Sequence, residues 1–185
     1  MYMPCNKIAV FCGSAKGKNK DYKNAAISLA KEMAEASLDL VYGGGSIGLM
    51  GIIADELLSL NRKVYGIIPK KIYDWEVGHE HITELTVVDD MHERKAKMAE
   101  MSDAFIAMPG GIGTLEEIVE AFTWLQLGYH HKPCAFLNVN GYYDHLIQFF
   151  DSMVVEGFLK QNQRDGLIIA ERPKHLIEIL LSKTL

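Results

Sequence analysis

The sequence predicts an α/β fold: a mostly parallel sheet with helices on both faces. Three observations carry that expectation. Short apolar runs alternate with longer segments of helical spacing along all 185 residues. Several of those runs end in glycine-rich turns, at Gly13-Ser14, Gly43-Gly44-Gly45 and Pro109-Gly110-Gly111. No linker, low-complexity tract or charge block divides the chain, so residues 1–185 are expected to form one domain. Strands separated by helices of this length imply right-handed βαβ crossovers and a sheet buried on both sides.

The elements follow in order. Residues 8–12 (Ile-Ala-Val-Phe-Cys) are a first apolar strand. The spacing of Ala25, Ala26, Leu29, Met33 and Ala36 predicts a helix over 21–36. Residues 38–42 are the next strand, and a helix runs over 49–60. Residues 63–68 form a third strand, closed by Pro69, and 83–88 a shorter fourth. A helix over 91–102 leads into strand 104–108 and then a strongly periodic helix over 114–127. Residues 134–138 read as the last strand, followed by helices over 142–156 and 174–181. In a parallel sheet all strands end on one edge, so the turns after Cys12, Tyr42 and Met108 should converge on one crevice.

Composition narrows the function. Hydrophobic residues make up 49% of the chain, enough for a full core, and the formal net charge is −5 without a basic stripe. That balance argues against nucleic acid as a partner. No apolar run reaches membrane-spanning length, and residues 1–7 lack a signal-peptide pattern. Three scattered cysteines, Cys5, Cys12 and Cys134, suit a reducing, cytoplasmic setting better than a disulfide framework.

The motif with most chemical content is Pro109-Gly110-Gly111-Ile112-Gly113-Thr114-Leu115-Glu116-Glu117. Glycines at a strand-to-helix turn let backbone N–H groups close around an anion, and the helix dipole adds partial positive charge there. A carboxylate at Glu117 is odd beside an anion unless it serves another part of the ligand. Phosphate cradle plus nearby acid points to chemistry on a phosphorylated small molecule. Thr114-x-x-Glu117 also reads as a helix capping box. The apolar arc of this helix is Leu115, Ile118, Val119, Phe122 and Leu125. Trp124 lies opposite it, so the helix is expected to pack on two sides, the second against a partner subunit. Arg94 falls within the arc of Met91, Met98 and Met101, where a guanidinium must either snorkel to water or meet an anion in the crevice.

Other patterns carry less. Gly43-x-Gly45-x-x-Gly48 matches the dinucleotide expression, but on the second strand and with Pro69-Lys70-Lys71 where an NAD site needs an acid. It reads instead as a tight turn or a crevice wall. The seven histidines lack metal-ligand spacing. Neither a P-loop nor a Gly-x-Ser-x-Gly elbow occurs, which disfavours ATP hydrolysis and acyl transfer.

These residues resemble the LONELY GUY family of cytokinin riboside 5′-monophosphate phosphoribohydrolases, whose members often carry the label "lysine decarboxylase". The likeness runs through Met91-His92-x-Arg94-Lys95, Ser102-Asp103-Ala104-Phe105-Ile106, the Gly110-to-Glu117 motif and Thr123-Trp124-x-Gln126-Leu127-Gly128. It extends to Phe11-Cys12-Gly13-Ser14, Tyr42-Gly43-Gly44-Gly45-x-x-Gly48-Leu49-Met50-Gly51 and Glu156-Gly157-Phe158. The resemblance implies a Rossmann-like, doubly wound fold, a homodimer, and hydrolysis of the N-glycosidic bond of an AMP-type nucleotide without metal or organic cofactor. Carried over by position, Arg94 and Glu117 are the expected catalytic pair. Lys95, Gly111, Ile112, Gly113, Thr114, Thr123 and Glu80 are expected to bind substrate. Ile112 stands where the family often has an aromatic, and the segment 74–81 matches poorly. Met91 is expected at the base, and Ser14 and Gly45 at the first two turns. The rival is a non-catalytic nucleotide or molybdenum-cofactor carrier on the same fold. A pyridoxal-phosphate decarboxylase is suggested only by the old label, since no lysine here has a context that requires a Schiff base.

Overall fold

Residues 5–184 are described by a computed structural model; residues 1–4, on which part of the signal-peptide reading falls, lie outside them. The chain begins with β1 (Lys7–Phe11), α1 (Lys20–Glu35), β2 (Asp39–Tyr42), α2 (Gly48–Ser59), β3 (Val64–Pro69), α3 (Lys70–Glu76) and β4 (Glu84–Val88). It continues with α4 (Met91–Met101), β5 (Ala104–Ala107), α5 (Ile112–Leu127) and β6 (Cys134–Leu137). A 3-10 turn (Val139–Gly141) leads to α6 (Asp144–Val155), α7 (Gln161–Gly166), β7 (Ile168–Ala170) and α8 (Pro173–Thr184).

The strands form one seven-stranded sheet in the order β4-β3-β2-β1-β5-β6-β7. Every pairing is parallel, from Lys7 opposite Asp39 to Leu137 opposite Ala170. This is the doubly wound, Rossmann-like α/β architecture. Alternation along each strand feeds two cores. Ile8, Val10, Leu40 and Tyr42 pack with Leu29 and Met33 of α1, Ile53 of α2 and Leu176 of α8. Ala9, Phe11, Val41, Phe105 and Phe136 pack with Met98 of α4, Ile118 and Phe122 of α5 and Phe150 of α6. The chain winds outward from β1 to β4 and returns to β5 on the other side of β1, so the strand order reverses between β1 and β5. A crevice opens outside the carboxyl ends of the strands at such a switch point.

Three elements fall outside the sequence expectations. β7 is only three residues long, too short for a period to register. α3 starts directly after Pro69 and spans seven residues. α7, at six residues, has no buried residue. Two local readings are corrected. α5 begins at Ile112 with Gly111 as N-cap and no side-chain cap bond, so the Thr114–Glu117 capping box is not formed. The buried stripe of α5 is Thr114, Ile118, Ala121 and Phe122, rotated from the predicted arc, and Glu117 stands at its edge. Among the described residues no helix is long and apolar enough to cross a membrane.

Candidate active site

The turn after β5 is held from behind. Gly13 N–H donates to the Pro109 carbonyl (3.2 Å), the Tyr142 hydroxyl to the Gly110 carbonyl (2.5 Å) and the Tyr143 hydroxyl to the Met108 carbonyl (2.6 Å). With the carbonyls tied down, the first amides of α5 face outward. The first N–H groups of a helix lack intrahelical acceptors, and here neither a capping side chain nor an acid in the first turn takes them up. Gly111 and Gly113 have open space where a Cβ would stand, whereas a Cβ on Gly110 would run into Thr114 Oγ1 and lie 2.9 Å from Gly13 N. The turn is therefore fixed on its inner side and open on its outer side, as an anion cradle requires.

In front of this turn lies a cavity of about 410 Å³. Phe11 to Ser14 of the β1 turn, Gly43, Met50, Ile72, Met91, Arg94, Gly111 to Thr114, Glu116 and Glu117 line it. Asp90 caps α4 by accepting from the His92 and Glu93 N–H groups at 2.8 and 2.9 Å. Those backbone donors, Glu93 foremost, hold its carboxyl below the usual value. This cap starts α4 so that Arg94, one turn in, points at the crevice. The Arg94 side chain is 6% exposed, so it does not snorkel to water, and its Nη2 stands 3.7 Å from Oε1 of Glu117, itself 10% exposed. The next residue, Lys95, ties α4 to α5 by donating to Glu116 (2.5 Å) and Glu120 (3.1 Å). Burial alone would depress its ammonium; the two carboxylates outweigh that and hold its pKa above the usual value.

Of the residues expected at the site, Ser14, Met91, Arg94, Gly111, Ile112, Gly113, Thr114 and Glu117 share this cavity. The other four do not line it. Lys95 sits in its carboxylate clamp between Glu116 and Glu120. Gly45 bridges to Gly78. Glu80 accepts from the Tyr73 hydroxyl (2.8 Å) and lines a separate cavity of about 560 Å³ with Asp55 and His79. Thr123 is exposed on α5, its hydroxyl bonded to the Val119 carbonyl (2.7 Å). Sequence reasoning missed Gly43, Met50, Ile72 and Glu116 as lining residues. Gly43 stood in a motif already singled out, while Ile72 belongs to a helix too short to have a period. Among the described residues no group of three His, Cys, Asp or Glu side chains could hold a metal.

Residues 50–180 match a family model described as possible lysine decarboxylase. A probable cytokinin riboside 5′-monophosphate phosphoribohydrolase of Oryza sativa subsp. japonica is 51% identical over 174 residues, 94% of this chain and 71% of the relative. A cytokinin riboside 5′-monophosphate phosphoribohydrolase of Arabidopsis thaliana is 50% identical over 174 residues, covering 94% of this chain and 81% of that one. The chain belongs to the LONELY GUY family.

The LONELY GUY motifs thus meet at the crevice in front of the Pro109–Gly113 turn. A molybdenum cofactor binding protein from the phototrophic bacterium Rippkaea orientalis superposes with a TM-score of 0.73 at 22% identity, covering 97% of this chain and 98% of that one. A likeness at that identity speaks for the fold. Lys95, the lysine next to Arg94, has a raised pKa, the opposite of what a Schiff-base lysine needs; burial lowers that of Lys132, which does not line the crevice.

Proposed function

We propose that this LONELY GUY chain, as one nucleotide-binding domain over residues 1–185, hydrolyses the N-glycosidic bond of adenosine-type 5′-monophosphates, releasing the free base and ribose 5-phosphate. The observation that carries the reading is the buried Arg94–Glu117 pair, 3.7 Å apart, in front of an uncapped helix N-terminus. The 5′-phosphate docks on the N–H groups of Gly111, Gly113 and Thr114, where backbone donors and helix dipole act together. That places the ribose toward Glu117. As the C1′–N bond stretches, positive charge develops on the ring oxygen and C1′, and the Glu117 carboxylate stabilises it. Water adds to C1′, and its proton leaves with the departing base. Glu117 also orients that water by accepting a hydrogen bond from it, while the proton goes to the base. Arg94, with its planar donor fork, fixes the carboxylate and the ribose hydroxyls. Met91 and Ile72 form the apolar wall for the base, and Ser14 closes the phosphate side. The chemistry proposed needs no metal or organic cofactor.

Thr123, Glu80, Lys95 and Gly45 are proposed contacts that one chain alone does not bring to the crevice. Thr123 lies on the outer face of α5 near Leu127, which is 66% exposed. Pairing of two copies through this face, a homodimer, is the arrangement proposed to bring Thr123 to substrate. The three free cysteines support a reducing, cytoplasmic setting. Incubation with AMP and with isopentenyladenosine monophosphate, followed by chromatography for free base, tests the reaction. Tight nucleotide binding without base release would replace it by a carrier. A clean monomer in sedimentation would refute the pairing.

A further inference from the structure

We infer that Gly43 is a positioning residue for Arg94: it is glycine because the Arg94 guanidinium occupies the space of its missing side chain. The inference rests on the catalytic reading of Arg94 and adds a residue to it. Gly43 follows β2 directly and is buried in the wall of the crevice. A glycine can be required by its backbone angles or by its lack of a Cβ. The neighbouring Gly44 and Gly48 have φ of +81° and +67°, whereas Gly43 is not among the positive-φ glycines. Its φ therefore lies outside the left-handed region that favours glycine. The space is another matter. A Cβ built on Gly43 would fall inside the van der Waals envelope of Arg94 Nη2, with Arg94 Cζ at 3.2 Å and Met50 Sδ at 3.3 Å.

Nη2 is the same nitrogen that stands 3.7 Å from Glu117. The guanidinium is therefore held between the open backbone of Gly43 and the carboxylate. A methyl at position 43 must push it away by roughly 1 Å or more, and a displacement of that size near reacting atoms costs on the order of 10²-fold in rate. Methionine 50 is flexible and yields first; the buried guanidinium, fixed from α4, cannot leave for water.

The test uses Gly43→Ala, Arg94→Ala and the double variant, read by base release and by thermal unfolding. Gly43→Ala is expected to lower kcat about 10- to 100-fold, with KM for the nucleotide changed only a few-fold because the phosphate cradle is untouched. It is also expected to lower the unfolding temperature in the wild-type background but not in the Arg94→Ala background, where the truncated side chain vacates the methyl's space. Wild-type kcat in Gly43→Ala, or an equal loss of unfolding temperature in both backgrounds, overturns the inference. If Gly43→Ala is insoluble, a folded double variant supports it and an insoluble one overturns it. Wild-type turnover by Arg94→Ala alone would instead sink the catalytic reading, and the unfolding comparison would still report on the Gly43–Arg94 contact.

Discussion

Replacing Glu117 by Gln keeps the side chain's shape and removes its charge, so it isolates electrostatics from packing. Both partners are largely buried, at 10% and 6% exposure, and stand 3.7 Å apart. At an effective dielectric of about 20, two unit charges at that separation interact by about 4.5 kcal/mol. An oxocarbenium-like sugar at a similar distance carries most of a unit charge only in the transition state. Losing its stabilisation therefore costs about 3–4 kcal/mol, on the order of 10²- to 10³-fold in kcat. KM should change only a few-fold, since the backbone amides at Gly111 to Thr114 still hold the phosphate. The Arg94 guanidinium would face a neutral amide, costing about 1–3 kcal/mol of stability, or about 2–4 °C per kcal/mol for a chain of this length. Steady-state base release, measured beside a thermal melt, separates the two effects. Full turnover by the Gln variant would end the electrostatic account. A loss of unfolding temperature with unchanged kcat would leave Glu117 as a structural partner of Arg94.

Three further outcomes follow from the coordinates. Gly48→Ala should destabilise by about 2–5 kcal/mol in urea unfolding, because Gly48 has φ +67° and its Cβ would overlap the Ser14 carbonyl; a change below about 1 kcal/mol would contradict it. Burial lowers the His130 pKa from its ordinary 6.5, against a smaller opposing pull from the Ala121 carbonyl. The unfolded chain thus takes up the proton first, and stability present above that value is lost as pH falls through the lower folded pKa. His130→Gln should therefore gain in unfolding temperature relative to the parent between pH 7.5 and pH 5, and a constant difference would refute this. Burial pushes the Cys134 thiol up to about 12. Iodoacetamide at pH 8 should leave it unmodified in the folded protein and alkylate it in urea, as read by peptide mass.

Much of the fold was legible because its signals are local. The runs at Ile8 to Cys12 and Ala104 to Met108 are apolar on both faces, as strands at the centre of a parallel sheet must be. The strand-to-helix turn at Pro109 to Gly113 was legible in its glycines, and Gly111 and Gly113 are open where a Cβ would stand. What stayed hidden depends on contacts between distant segments or on elements shorter than their own period. β7 has three residues, and α3 begins where a proline would otherwise suggest only a break. Helix α5 starts two residues before Thr114, because Gly111 serves as cap by backbone conformation without a side-chain bond. Gly43 and Arg94 meet across more than a quarter of the chain, and nothing near Gly43 in sequence distinguishes a glycine needed for space from one needed for its angles. Thr123 and Glu80 were placed by resemblance, and a single chain keeps both out of the crevice.

The same scaffold serves a molybdenum cofactor binding protein, so the question of hydrolysis falls on side chains rather than topology. A carrier gains from interactions realised in the bound ground state. A carboxylate close to a docked phosphate repels it there and weakens ground-state binding. An enzyme gains only from what strengthens in the transition state. In the proposed reaction Glu117 fits that second demand: there it faces a neutral ribose at first and a cationic one as the bond breaks. Arg94 offsets part of the initial repulsion, which lets the nucleotide bind without surrendering the later gain. If the site were built for retention, Gln at position 117 would hold the nucleotide more tightly and nothing would be lost. Measuring nucleotide affinity and base release for Glu117→Gln beside the parent therefore separates carrier from hydrolase: tighter binding with release slowed on the order of 10²- to 10³-fold is the signature of a charge kept for the transition state.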